Sequence, residues 1–216
     1  MSLVTIQTLS EDEKAVFKVV QEYLDKNRAF NKSKIVPFIS TRFKMASINI
    51  NENGITQILK SLINKKVILE GSKLTRENVL KLSKRKEIYD FIVNNPGTYF
   101  HKILKKLGFN NHIAVWHVDI LIKFNYIKKE LVENRFIYFE YEMAFGQAKT
   151  LHYLSKEKSK IILAYLHEND MGVTKTKISK DLNIHLNTVT KYLEVLIELR
   201  VILMENIDNK ILYFSK

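Results

Sequence analysis

The chain has 216 residues and a formal net charge of +12, from 35 Lys and Arg against 23 Asp and Glu. Hydrophobic residues make up 46% of it, which is ample for packed cores and excludes a disordered polypeptide. The absence of cysteine excludes disulfides, thiolate nucleophiles and cysteine-based zinc sites, while the basic excess favours a polyanionic partner or an acidic membrane surface.

The N-terminal region predicts three helices. Ser10 and Glu13 have the spacing of a capping box, which starts a helix that runs to about Lys26. A second helix is expected at about 33–43, and the apolar spacing of NENGITQILKSLINKKVI, at 51–68, predicts a third helix followed by a strand. The next stretch, VILEGSKLT, predicts only a stunted hairpin, so this region is the least regular of the chain.

The central region begins with the amphipathic stretch RKEIYDFIVNN, which Pro96 and Gly97 end. Thr98 is expected to cap the short helix YFHKILKKL, and Gly108 to end it. Asn110 is expected to cap the longer helix that follows. This region therefore predicts a helix, a short helix, a turn and a longer helix.

Two β-rich runs, YIKKELV and RFIYFEY, follow that longer helix and predict a hairpin around Glu133-Asn134. The C-terminal region repeats the same order. SKEKSKIILAYLHEN, KTKISKDLN and LNTVTKYLEVLIELR predict three helices, and VILMENI with KILYFSK predicts a hairpin whose tip is Asp208-Asn209.

The three regions share one apolar pattern, which is typical of an amphipathic helix that leads into a strand. The matching positions are Leu59, Leu62 and Ile68, then Val118, Leu121 and Ile127, and finally Leu193, Leu196 and Ile202. Helix, short helix, turn, longer helix and hairpin is the plan of the winged helix-turn-helix. The sequence therefore predicts a mainly α fold with small β-hairpins (α+β), built as three consecutive winged helix-turn-helix modules. These are a divergent N-terminal module at 1–83, a central module at 84–148 and a C-terminal module at 149–216.

The third helix of the C-terminal module has the most suitable surface for DNA. In a winged helix-turn-helix the first turns of this helix enter the major groove, so its residues there should be polar and able to reach base edges. Those residues are Asn187, Thr188, Thr190 and Lys191, which alternate with the apolar Val189 and Leu193. The helix before it adds Lys175 and Lys177, which are placed to neutralise phosphates. A solvated helix surface is the alternative interpretation.

The matching surface of the central module is more apolar. Its tip carries Asn111 and His112, but also Trp116, the only tryptophan of the chain. Trp116 stands at a groove-reading position and has the chemistry of an interface anchor, so both DNA contact and protein packing stay open. His117 is expected to be a packing residue, and its five-residue separation from His112 argues against a shared metal.

Further basic residues of the central module are candidates for phosphate contact. Lys102 and Lys105 lie on its short helix, and Arg135 lies on its hairpin, which would reach the adjacent DNA backbone. The N-terminal module has Glu52 and Gly54 at its tip instead, which favours an auxiliary or partner-binding role.

The sequence contains no Gly-x-Gly or Walker-type nucleotide-binding loop, no His-Glu-x-x-His zinc motif and no Gly-x-Ser-x-Gly nucleophile motif. We therefore expect no enzyme activity, no cofactor and no metal site. It also holds no long apolar run, and its first residues do not have the pattern of a signal peptide. The expectation is a cytoplasmic protein without membrane insertion.

Two stretches carry a resemblance to a known family, NNPGTYFHKILKKLGFNNHIAVWHVDIL and KISKDLNIHLNTVTKYLEVL. Through them residues 84–216 resemble the archaeal tandem winged helix-turn-helix transcriptional regulators of the broad MarR/ArsR-like class. The resemblance implies DNA reading by the tips of both third helices, although the apolar central tip departs from the usual polar pattern. The Lys- and Asn-rich composition resembles that of Asgard-type archaeal proteins.

The leading hypothesis is a DNA-binding transcriptional regulator whose partner is double-stranded DNA. The rival is a winged-helix interaction scaffold, as in ESCRT-II subunits or transcription machinery, with a second copy or a protein partner bound through the Trp116 region or the connector at 143–154. A third alternative is single-stranded nucleic acid or RNA binding by aromatic residues near the hairpins. Those residues are Tyr138, Phe139, Tyr213 and Phe214.

Overall fold

A computed structural model describes residues 8–216 of the chain and shows a mixed α and β architecture. The described residues form eleven helices and five short strands. They divide into two compact units. The first unit holds the described residues up to Leu131 together with Tyr138–Glu142, and the second unit holds Val132–Ile137 and Met143–Lys216. The α+β class is confirmed, whereas the three-module division stays a prediction.

The first unit begins with three helices, α1 (Glu11–Lys26), α2 (Lys32–Met45) and α3 (Glu52–Asn64). The capping box at the start of α1 is confirmed, because Glu13 donates its backbone N–H to Ser10 Oγ and accepts from the Ser10 N–H. Only an isolated bridge between Ile68 and Thr75 follows α3, before the short α4 (Arg76–Val79). The stunted hairpin is thus reduced to one bridge.

Apart from the strand β1, which was not predicted, the central elements follow in the predicted order. They are α5 (Ser83–Asn94), β1 (Thr98–Tyr99), α6 (Phe100–Leu107), α7 (Asn111–Lys123), β2 (Ile127–Val132) and β3 (Arg135–Glu140). The strands form one sheet in the order β1-β3-β2. Gly108 ends α6 at a left-handed φ of 67°, and Glu133 and Asn134 have φ values of 49° and 61°. Two successive positive φ values are typical of a tight hairpin turn, as expected there.

The prediction that Thr98 caps the short helix is wrong. Thr98 lies in β1 and is buried, and Tyr99 occupies the position before α6 without a side-chain cap. The Gly97 N–H donates to the Tyr138 carbonyl at 2.9 Å, which draws this segment into the sheet instead. Sheet pairing has therefore overridden a local capping preference.

The second unit contains the remaining helices and a two-stranded antiparallel sheet. Its elements are α8 (Phe145–Leu154), α9 (Glu157–His167), α10 (Lys175–Asp181), α11 (Leu186–Glu198), β4 (Ile202–Ile207) and β5 (Lys210–Ser215). Asp208 and Asn209 form the tip of the hairpin, with φ values of 51° and 59°. Val173 and Tyr213 exchange two backbone hydrogen bonds, which attach β5 to the segment before α10.

The repeated apolar pattern marks the cores. All nine matching positions are buried, from Leu59 to Ile202. In the first unit one core lies among α1, α2 and α3, and another among α5, α6, α7 and the strands that follow. In the second unit a separate core joins α9, α10, α11 and the β4–β5 hairpin. Each unit therefore has its own buried apolar support.

Candidate nucleic-acid interface

The start of α11 presents a polar surface above a buried apolar one. The ring nitrogen Nδ1 of His185 accepts the Asn187 N–H at 3.3 Å and caps the helix. Val189 and Leu193 are buried, so the helix can expose only its other side. Asn187 and Lys191 lie on that exposed side, and Thr188 and Thr190 are half-buried beside it. These four residues therefore lie together in the first turns of α11.

The preceding helix α10 adds a basic surface in the same unit. Its buried Ile178 faces the core, while Lys175 and Lys177 are exposed. The Ser179 hydroxyl donates to the Ile184 carbonyl at 2.7 Å, which fixes the turn between α10 and α11. Within the second unit the two helices thus expose lysine amines and the Asn187 amide, groups that can bind phosphates and base edges.

One acidic side chain forms an ion pair with this surface. Glu133, at the tip of the β2–β3 hairpin, accepts from Lys191 Nζ at 2.8 Å and from Lys156 Nζ at 2.6 Å. Burial raises the pKa of its carboxyl group, but hydrogen bonds from Lys156, Lys191 and Tyr153 outweigh burial and lower the pKa to about 2. Glu133 is therefore ionised at neutral pH. It forms an ion pair with the amine of Lys191, which the sequence analysis assigned to DNA contact.

Lys156 was not among the predicted site residues. Its Nζ lies 4.3 Å from the centre of the Tyr153 ring and 6.0 Å from that of Tyr192, so its stem is packed between aromatic groups. Only 18% of its side chain is exposed, against 58% for Lys191. The sequence offered no local signal for this arrangement, because the partners lie 23 and 58 residues from Glu133 along the chain.

The start of α7, in the first unit, presents an apolar tip. Asn110 caps the helix by accepting the His112 N–H at 3.0 Å, as predicted. Asn111 and His112 are exposed, and Trp116 remains 54% exposed. The ring of Trp116 lies 5.3 Å from the guanidinium carbon of the buried Arg85. This tip is held by a cation–π contact from beneath, with its apolar surface turned outward.

His117 is buried, as expected of a packing residue. Within the described residues its Nδ1 atom has no hydrogen-bond partner. Burial lowers its pKa, and the positive charges of Arg85 and Lys84 lower it further, so the ring is neutral at physiological pH. The described part of the chain contains no cluster of three or more His, Asp or Glu side chains suited to a metal ion.

Two open cavities flank Trp116 within the first unit. One of about 530 Å³ is bordered by Leu82, Lys84 and Ile113, and another of about 790 Å³ by Ile120 and Lys123. Large exposed apolar side chains with concave surroundings are typical of protein interfaces rather than of groove-reading helices. These surroundings favour protein packing over DNA contact for Trp116.

The remaining predicted residues lie at the surface. Lys102 and Lys105 are exposed on α6 of the first unit, and Arg135 is exposed at the hairpin tip that belongs to the second unit. The connector at 143–154 is largely the helix α8, with Ala148, His152 and Tyr153 buried.

The aromatic residues near the hairpins are mostly core residues. Tyr138, Phe139 and Tyr213 are buried, and Phe214 is half-buried. A base-stacking surface needs exposed ring faces, so these residues give little support to single-strand binding.

Among the described helices, none has both the length and the apolar character that crossing a membrane demands.

No family model matches the chain. It is similar to an uncharacterized HTH-type transcriptional regulator of the archaeon Methanocaldococcus jannaschii, with 32% identity over 160 residues. The aligned part covers 73% of this chain and 40% of the relative, so the chain spans less than half the length of that protein. Over most of its length the sequence is thus similar to part of an archaeal regulator of the helix-turn-helix type.

Proposed function

We propose that this protein is a DNA-binding transcriptional regulator that places the first turns of α11 in the major groove. The observation that carries the proposal is the polar tip of α11, where Asn187 and Lys191 are exposed above the buried Val189 and Leu193. The helix-turn-helix description of the archaeal relative supports it. In this proposal α9, α10, α11 and the β4–β5 hairpin act as a winged helix-turn-helix.

The groups at the tip divide into two roles. Asn187 can form a bidentate pair with adenine, and the methyl groups of Thr188 and Thr190 can contact thymine. Lys175 and Lys177 neutralise phosphates and fix the register of the helix on the duplex without reading sequence. The same proposal includes the three-module organisation, double-stranded DNA as the partner and a cytoplasmic location.

The test begins with selection of binding sites from a random duplex pool. We expect the double variant Asn187→Ala/Lys191→Ala to bind the selected duplex about 10- to 100-fold more weakly, since losing the Asn187 base contact costs about 1–3 kcal/mol and losing the Lys191 charge weakens binding to any sequence. Fluorescence anisotropy at two salt concentrations measures this loss. The matched control is Lys158→Ala, which removes an exposed lysine of α9 in the same unit. Equal affinities for the double variant and the control would contradict reading by α11.

A second candidate function is protein docking through the start of α7. It is favoured by the exposure of Trp116, Ile113 and Val115, three large apolar side chains on one helical tip. Here the central helix holds a second copy of the chain while α11 reads DNA. This use would explain why the tip of α7 lacks the polar residues that base edges require.

We expect Trp116→Ala to abolish self-association while the affinity for duplex DNA changes less than about threefold, because interface anchors of this kind contribute 2 kcal/mol or more. Sedimentation velocity of the variant beside Met171→Ala, which truncates another highly exposed apolar residue, separates the two contributions. A large loss of duplex affinity with unchanged association would instead assign Trp116 to the DNA surface.

A further inference from the structure

Glu133 accepts hydrogen bonds from three side chains, although it lies at a hairpin tip. Its two carboxylate oxygens are divided between two lysines, with Oε1 accepting from Lys191 and Oε2 from Lys156, and Tyr153 adds a third hydrogen bond. Only 27% of its side chain is exposed. All four residues belong to the second unit. Two amines and one hydroxyl thus converge on a single anion.

The same set of donors suits a phosphate. A phosphate of the DNA backbone offers two anionic oxygens, as a carboxylate does, and lysine amines and hydroxyl groups are common donors to it. Lys156 is held beside the rings of Tyr153 and Tyr192 whatever anion it meets. Its charge therefore lies beside the Tyr192 ring of α11 before any DNA binds.

The position of Glu133 conflicts with a bound duplex. Lys191 lies four residues after Asn187 on α11, so both side chains share one surface of the helix. A duplex that meets Asn187 brings its phosphates toward Lys191, where the charge of Glu133 would repel them. Either the Glu133 carboxylate moves away from Lys191 when the duplex binds, or the complex retains the repulsion between this carboxylate and the phosphates.

We propose that Lys156, Lys191 and Tyr153 form a phosphate-binding site for duplex DNA, which Glu133 occupies in the free protein and vacates in the complex. This inference rests on the proposed function, and it adds Lys156 and Tyr153 to the DNA surface. The hairpin tip acts as an internal competitor. The affinity for DNA therefore depends on how much more favourably these donors bind a DNA phosphate than the Glu133 carboxylate.

The first test is Glu133→Gln, which removes the competing charge. It should bind the selected duplex at least about fivefold more tightly at low salt, since one fewer negative charge opposes the phosphates. Glu130→Gln, which makes the same charge change on an exposed residue of β2, is the matched control and should change affinity less than about twofold. Equal affinity for the two variants would show that Glu133 is a structural brace and overturn the inference.

The second test does not depend on how well the first variant folds. Lys156→Gln should weaken duplex binding and lower the slope of log affinity against log salt by about one, as the loss of one phosphate contact does. Lys158→Gln, two residues along and exposed, should leave the slope unchanged. Circular dichroism confirms that each variant is folded. Equal slopes for the two lysine variants would remove Lys156 from the DNA surface.

The outcome for the unchanged protein separates the two proposals. A wild-type chain that binds no duplex at low salt overturns the proposed function and this inference with it. A wild-type chain that binds duplex, with the Glu133 and Lys156 variants equal to their controls, overturns the inference alone.

Discussion

Leu193→Ala should lower the free energy of unfolding of the second unit by about 2 to 5 kcal/mol, the usual cost of truncating a buried leucine. Leu193 is buried in the core that joins α11 to the rest of that unit. The substitution leaves a cavity directly beneath the polar tip of α11. Because Asn187 and Lys191 are placed by this packing, we expect duplex affinity to fall together with stability.

The single tryptophan makes this prediction specific to one unit. Trp116 lies in the first unit, and the described residues of the second unit include no tryptophan. Far-ultraviolet circular dichroism should therefore show an earlier thermal transition for the helices of the second unit, by about 4–8 °C per kcal/mol in a domain of this size. Trp116 fluorescence should keep its transition, because the first unit has its own cores.

The control for this substitution is Leu203→Ala, which truncates the same side chain at an exposed position of β4. It should change the free energy of unfolding by less than about 0.5 kcal/mol, as surface substitutions do. An equal shift for both variants, or a matching shift in Trp116 fluorescence, would show that the two units do not unfold as separate bodies.

Local features of the fold were readable from the sequence because their causes are local. Ser10 and Glu13 satisfy each other within one helical turn, and Gly108 supplies the left-handed conformation that ends α6. The hairpin tip at Glu133-Asn134 likewise depends on two adjacent residues that adopt positive φ. Apolar periodicity then indicated which side of each helix is buried.

The features that the sequence did not predict depend on residues far apart in the chain. Thr98 has the chemistry of a helix cap, but the bond from Gly97 to the Tyr138 carbonyl places it in a strand. The ion pair between Glu133 and Lys191 joins residues that no spacing rule connects. The candidate site was therefore predictable at the tip of α11 and not in the anion that lies against it.

Arg76→Met should lower the free energy of unfolding of the first unit by about 3 kcal/mol, from the hydrogen bonds of a buried charge and one cation–π contact. The Nη1 atom of Arg76 donates to the Phe124 carbonyl, and Nη2 donates to the Asn125 carbonyl at 3.4 Å. The guanidinium carbon lies 4.6 Å from the centre of the Tyr126 ring. Methionine fills similar space but leaves both carbonyls without this donor.

Arg76 also connects three segments through its backbone. Its N–H donates to the Val67 carbonyl at 2.8 Å, and its own carbonyl accepts from the Tyr126 hydroxyl at 2.9 Å. These bonds persist in the variant, so the loss measures the side chain alone. Arg76→Lys should restore less than half of the lost stability, since an ammonium lacks the planar fork that reaches two carbonyls.

The readout for Arg76 is the reverse of that for Leu193. The Trp116 fluorescence transition should move to lower temperature in Arg76→Met, while duplex binding through α11 at 25 °C stays within about twofold, because the second unit keeps its own core. Arg28→Met, at an exposed position, is the control and should leave the fluorescence transition in place. If duplex binding fell with the stability of the first unit, the first unit would have to take part in DNA binding.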